Sequence, residues 1–286
     1  MIFDGVYTAL ITPFAHGKVD HEALAALCLR VLPHSAGLVV LGTTGEPCAL
    51  RDREKLDVVR TVRSVCGKPI VVGVTGNDTA TVQRRAVQWQ REGASALLLV
   101  TPYYNRCSQE GLLAHYAAVC RAVDIPVVVY NVPARTGVNI APDTLARILS
   151  LPHVEAVKEA NADPRQIVQY ATICHQMGKT LLCGEDALLP LFRAAGARGV
   201  ISAAANAIPS VMAEGMRVPM TDAVRWLCRY GALLDALFAE VNPICVKQAC
   251  YHLGLVRNEL RLPLTPAYYP RIPTLLQEAG FAIINQ

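Results

Sequence analysis

Several familiar signatures are missing from this sequence, and each absence removes a class of function. No apolar run approaches the roughly 20 residues that span a bilayer; the stretch 94–100 is typical and stops far short. The ten cysteines include no CxxC pair, so the mark of a thiol redox centre is absent. The seven histidines (His16, His21, His34, His115, His153, His175, His252) include no HxxxH or similar ligand spacing, which disfavours a metal centre that would polarise an enolate. No GxxxxGK[ST] frame occurs, and Gly73-Val74-Thr75-Gly76 does not extend to GxGxxG, so neither nucleotide-phosphate loop is written here. Charge is also unremarkable: 27 basic and 23 acidic residues are scattered to a net +4, without the basic runs that attract nucleic acid. Residues 1–5 lack a basic segment followed by an apolar one. The expectation is a soluble cytoplasmic protein with no nucleic-acid or membrane partner, its cysteines small core residues in a reducing compartment. Cys48 and Cys107, in polar loops, are set apart as candidates for a local role.

What the chain does have is apolar material in a regular order. At 286 residues and 52% hydrophobic content it can bury a large core. Short aliphatic runs alternate with longer amphipathic stretches, the pattern of repeated βα units around a parallel sheet. Strands are expected over 6–11, 37–41, 69–74, 96–100, 126–130, 154–158, 180–183 and 199–203. Helices are expected over 20–32, 52–66, 78–92, 108–123, 142–149, 163–177, 186–195 and 208–216, several opening on Asp or Ser and several followed by glycine. Eight such units in series close most economically as an α/β (β/α)8 TIM barrel, because an open sheet needs a reversal of strand order that nothing signals. Past Val218 the strand signal ends. Helices over 222–241, 243–253 and 272–279, with an irregular proline-rich segment at 261–273, form a C-terminal helical extension. The expected division is a catalytic barrel at 1–217 and a helical region at 218–286.

In such a barrel the reacting residues come from the C-terminal ends of the strands and the loops beyond. On the sixth strand the period of two puts Val154, Ala156 and Lys158 on one face. If that face is interior, burial disfavours the ammonium and leaves a nucleophilic amine; otherwise Lys158 reaches solvent and pairs with Glu159. The fifth strand ends at Tyr130 and leads to Arg135. A phenol there can relay protons and a guanidinium can fork onto a carboxylate, although taken singly a packed core tyrosine and a surface charge are the commoner readings. After the second strand, Gly42-Thr43-Thr44-Gly45-Glu46 offers hydroxyl and backbone donors to a carboxylate or a proton relay, or is an ordinary glycine-rich turn. After the fourth, Thr101-Pro102-Tyr103-Tyr104-Asn105 places two aromatics on a loop, either in an interface or lining the site.

Taken together, these pieces resemble the dihydrodipicolinate synthase family over essentially the whole chain. The likeness is carried by the GTTGE stretch at 42–46, TPYYNR at 101–106, SQEG at 108–111, YNVP at 130–133 with RTG at 135–137, KEA at 158–160, GVIS at 199–202 and NPI at 242–244 with Val246-Lys247. The resemblance implies a class I aldolase, a lyase, in which Lys158 forms a Schiff base with pyruvate and Tyr130 shuttles protons. Thr43 and Tyr104 would complete the relay, with Tyr103 or Tyr104 reaching across a subunit contact. Thr44 and the backbone at Ile201 would hold pyruvate, Gly184 would leave room for the ketoacid, and Arg135 would bind the carboxylate of the second substrate. No metal or organic cofactor is implied. Arg135 within the YNVPxRTG stretch favours L-aspartate 4-semialdehyde, giving 4-hydroxy-tetrahydrodipicolinate on the way to diaminopimelate and lysine; the alternative is a related lyase acting on another aldehyde or a sugar acid, similar to N-acetylneuraminate lyase. A homotetramer or dimer is expected, with the C-terminal helices as possible contact surface.

The sequence departs from the family where lysine-inhibited members carry histidine and glutamate. Here those segments read Pro47-Cys48-Ala49-Leu50-Arg51-Asp52-Arg53-Glu54-Lys55 and Asn77-Asp78-Thr79-Ala80-Thr81, and Cys107 stands where a proline is usual. Strong lysine feedback is therefore not expected, and a paralogue acting on another aldehyde stays open.

Overall fold

A computed structural model describes residues 3–285. The barrel strands are β1 (Gly5–Ala9), β2 (Gly37–Val40), β3 (Ile70–Val74), β4 (Ala96–Val100), β5 (Val127–Asn131), β6 (Val154–Glu159), β7 (Thr180–Cys183) and β8 (Gly199–Ser202). They hydrogen-bond in chain order, and β1 closes the ring by pairing with both β2 and β8. This is the expected TIM barrel. Its strands are nearly continuous runs of buried Val, Leu and Ile because helices cover the outer face while side chains fill the inside.

The helices between strands are α1 (His21–Val31), α2 (Asp52–Val65), α3 (Thr79–Arg91), α4 (Gln109–Cys120), α5 (Pro142–Leu149), α6 (Pro164–Gln176), α7 (Leu189–Ala194) and α8 (Pro209–Arg217). Their starts follow side-chain chemistry. Asp20, Asp78, Ser108 and Asp163 each accept a first-turn backbone N–H, from Ala23, Thr81, Gly111 and Arg165. Each such cap contributes about 1 kcal/mol. The seventh expected helix differs at its start: Asp186–Leu188 is a 3₁₀ turn and the α-helix begins only at Leu189. Pro190 has no N–H to offer the carbonyl of Asp186, so the tighter turn takes that carbonyl through the N–H of Leu189. The C-terminal region supplies α9 (Ala223–Leu237), α10 (Ile244–His252) and α11 (Arg271–Glu278).

Two compact units divide the chain. The first, Met1–Gly5 with Pro69–Ile201, holds strands β3 to β7 in continuous parallel register. Helix α6 faces this unit's core with Ile167, Tyr170 and Cys174, and also with a glutamine, Gln166, that is 6% exposed. The second unit, Val6–Lys68 with Ser202–Gln286, contains β2 in register with residues 7–9 of β1, together with the C-terminal helices. Within it, Asn206 ties the end of β1 to the turn after β8 by donating to Ala9 O and accepting from Ile11 N. No helix among the described residues is long and apolar enough to cross a membrane.

Candidate active site

Strand β6 ends in Lys158 and Glu159, which the period of two sends to opposite faces. Lys158 is the register partner of Tyr130 on β5 and of Leu182 on β7. Register partners on parallel strands point the same way, so Lys158 and Tyr130 leave the sheet together. Lys158 is only 7% exposed, and its Nζ lies 4.3 Å from the centroid of the Tyr130 ring. The alternative pairing with Glu159 does not form. Glu159 is itself fully buried, accepting from Asn131 Nδ2, Gln166 Nε2 and the backbone N–H of Asn161. Burial pushes its carboxyl up to about 7, with the Gln166 and Asn131 hydrogen bonds opposing the rise.

The loops beyond β5 and β7 bring further charge to Lys158. Arg135 sits exposed on a single helical turn, Pro133–Thr136, that ends at Gly137 in the left-handed region (φ +71°). Half-buried Glu185 has its carboxyl raised by desolvation while the positive charges of Lys158 and Arg135 pull the other way. Gly184 has a demand of its own: an added Cβ would sit 2.6 Å from Glu159 O and 2.9 Å from Ala160 Cβ. Glycine is required here by the close approach of the two strand tips, whose backbones meet through Gly184 N–H donating to Glu159 O at 2.8 Å. Ile201 is buried on β8. The aromatic pair splits: Tyr103 is half-buried, whereas Tyr104 is 89% exposed with φ +71°.

In the second unit, the stretch after β2 forms a 3₁₀ turn, Thr43–Gly45, leaving Thr43 half-buried and Thr44 buried. Thr44 Oγ1 accepts from Asn242 Nδ2 at 2.9 Å. Glu46 follows with φ +51°, and its carboxylate meets Lys247 Nζ at 2.5 Å, the two side chains being 3% and 0% exposed. Lys247 also donates to Glu259 O at 2.8 Å and lies 4.1 Å from the Phe14 ring centroid. Desolvation lowers the pKa of this ammonium and Glu46 opposes the shift. The sequence reading found Glu46 and Lys247 in two motifs without joining them, and gave no role to Asn131, Gln166 or Glu185. Only the polar residue in a buried helix stripe, Gln166, carried a visible signal. Among the described residues no three His, Cys, Asp or Glu side chains group as a metal centre would require.

A buried primary amine against a phenol, with a guanidinium and a carboxylate on the neighbouring loops, can condense with a ketone and exchange protons around the resulting imine. The comparisons with known proteins agree with that chemistry. The sequence model of the dihydrodipicolinate synthetase family matches residues 2–277. A 4-hydroxy-tetrahydrodipicolinate synthase from Alkaliphilus oremlandii is 39% identical over 272 residues, 93% of each chain. The crystal structure of dihydrodipicolinate synthase from Thermotoga maritima superposes with a TM-score of 0.94 at 38% identity, covering 98% of this chain and 99% of that one. The chloride-inhibited dihydrodipicolinate synthase from Acinetobacter baumannii, solved with pyruvate, does so at 0.92 and 32% identity over 98% and 100%. With a family match across nearly its full length and relatives of this similarity, the chain belongs to the dihydrodipicolinate synthetase family.

Proposed function

We propose that this protein is a lyase that condenses pyruvate with L-aspartate 4-semialdehyde to give 4-hydroxy-tetrahydrodipicolinate, in the biosynthesis of diaminopimelate and lysine. The observation that carries the reading is Lys158, buried beside Tyr130 at the tips of adjacent strands. The relatives' name supports the product, and the Acinetobacter complex supports pyruvate as the first substrate.

The amine of Lys158 adds to the keto carbon of pyruvate and water leaves, with the Tyr130 phenol passing the protons. The protonated imine draws electrons from the methyl group; loss of a methyl proton gives an enamine, which attacks the aldehyde carbon of the second substrate. The amino group of that substrate then attacks the imine carbon, closing the ring and releasing Lys158. Arg135 binds the carboxylate of the semialdehyde, Thr44 and the backbone at Ile201 hold that of pyruvate, and Gly184 leaves space for the ketoacid. Thr43 joins the proton relay, and Tyr104 joins it from a second copy of the chain, consistent with its 89% exposure. The active form is a homotetramer or dimer, with residues 1–217 as the catalytic barrel and 218–286 as a helical region. The setting we infer is cytoplasmic.

Borohydride reduction with pyruvate tests the central step. The expected outcome is one reduced ketoacid adduct on Lys158, absent from Lys158→Ala; an unmodified Lys158 peptide in the wild type removes the mechanism. A panel setting condensation with aspartate semialdehyde against cleavage of sugar acids tests the substrate.

A further inference from the structure

The segment carrying Arg135 leaves β5 at Asn131 and returns at Ile140, and one side chain ties its two ends. Asn131 Oδ1 accepts from the backbone N–H of Ile140 at 3.1 Å, and Asn131 Nδ2 donates to Asn139 Oδ1 at 2.8 Å. The same amide donates to both carboxylate oxygens of Glu159, each at 3.0 Å, directly beside its register position on β6. Gln166 on α6 completes the cluster: its Nε2 donates to Glu159 Oε2 and to Asn139 Oδ1 at 2.9 Å, and its Oε1 accepts from Asn139 Nδ2 at 2.8 Å. From outside, Gln109 donates to Asn139 O at 2.8 Å and accepts from Ala141 N–H at 2.9 Å.

Asn131 and Glu159 are each 0% exposed. An apolar pair would hold two adjacent strands together without the desolvation that a buried carboxylate suffers. What an apolar pair would not supply is direction. A carboxylate gripped by side-chain and backbone donors fixes the rotamer of Asn131, and Asn131 fixes where the loop closes. Cluster and loop therefore move together or not at all, and Lys158 lies on the same strand one residue before Glu159.

We propose that Glu159, through Asn131 and Asn139, is a positioning residue for the second substrate: it sets the base of the 131–140 loop so that Arg135 is held at a fixed place relative to Lys158. This rests on the reading of Arg135 as the group that binds the semialdehyde carboxylate. Pyruvate, on the same reading, is held by Thr44 and the backbone at Ile201, outside this loop. The two substrates should therefore respond differently when the cluster is cut.

The test is Asn139→Ala, which cuts the loop's side-chain bonds to Asn131 Nδ2 and to Gln166 while leaving the Ile140 N–H bond to Asn131 Oδ1 and all of β6 in place, assayed for both substrates and by pyruvate–borohydride trapping. The expected result is at least a tenfold rise in KM for aspartate semialdehyde, with pyruvate KM and trapping rate within twofold of wild type. In an Arg135→Ala background the same change should add less than twofold, because the residue it acts through is gone. Glu159→Gln, which turns a donor toward donors, should shift the same KM in the same direction. Gln109→Ala, a milder cut at the half-buried rim, should raise it about threefold and serves if Asn139→Ala does not fold. An unchanged semialdehyde KM in a folded variant, full additivity with Arg135→Ala, or pyruvate trapping that falls in step overturns the proposal. A wild type that is neither trapped nor active would instead overturn the function beneath it, and the proposal with it.

Discussion

Lys158 and Tyr130 are register partners on adjacent parallel strands, with the amine nitrogen 4.3 Å from the phenol ring centroid. Their proximity is a property of the sheet, since any two register partners on neighbouring strands project side by side. Tyr130→Phe keeps the ring against the amine and removes only the hydroxyl. A positioned proton donor contributes about 10²–10⁴-fold, so kcat should fall by about that range while the Lys158 adduct with pyruvate still forms, more slowly. Adduct formation at the wild-type rate in a variant with normal turnover would remove Tyr130 from the relay.

Arg135→Ala should separate the substrates. Loss of a hydrogen bond between charged groups costs about 1.5–3 kcal/mol, or roughly 10–100-fold. That loss is expected in KM for aspartate semialdehyde and not in pyruvate trapping, as steady-state kinetics with each substrate varied in turn would read.

Gly184→Ala should destabilise the fold before it affects chemistry. The new Cβ would sit 2.6 Å from the Glu159 carbonyl, a backbone atom with nowhere to go while Gly184 N–H remains bonded to it. Overpacking of this kind costs about 1–3 kcal/mol, so the thermal midpoint should drop by several degrees. An unshifted midpoint would mean that the strand tips separate freely.

Lys247→Met should be among the most damaging single changes in the second unit. It leaves the Glu46 carboxylate, whose side chain is 3% exposed, without its cation. Breaking a buried ion pair from one side costs about 3–5 kcal/mol, whereas replacing both partners with apolar residues is often neutral. The double variant Glu46→Leu with Lys247→Met should therefore recover most of the loss in denaturant unfolding. If the double is as unstable as the single, the charge is not the reason.

The pH dependence of stability should carry the mark of Glu159. Its carboxyl is pushed up to about 7 in the fold from an ordinary 4.5, so the folded chain holds this proton more tightly than the unfolded chain. The resulting stability is fully present below the unfolded value of 4.5 and is lost as pH rises through about 7. The full span is on the order of 3 kcal/mol. Subtracting the unfolding free energy of Glu159→Gln, which does not titrate, from that of the wild type at each pH isolates it. The difference should decline from about pH 5 to about pH 8, and a flat line would mean that the carboxylate is charged throughout.

Much of this was written locally. The aliphatic runs of β3 to β7 and the Asp and Ser caps of α1, α3, α4 and α6 lie within a few residues of each other, so periodicity and cap chemistry expose them. Lys158 and Tyr130 were legible for the same reason: each ends an apolar strand where solvent-facing charge or a phenol is out of place. The first turn of α7 was not, because the tightening at Asp186–Leu188 depends on a missing N–H at Pro190 rather than on the hydrophobic pattern.

The sequence by itself determined the order of strands and helices, the barrel they close and the short motifs to which the proposed chemistry is assigned, because these depend on neighbours along the chain. Only the tertiary structure decided which side chains those motifs meet. Glu46 lies 201 residues from Lys247, Thr44 lies 198 from Asn242, and Glu159 turns away from adjacent Lys158 toward Asn131, 28 residues before it. Buried polar groups must find partners wherever the fold delivers them, and the distance along the chain says nothing about which partner that will be.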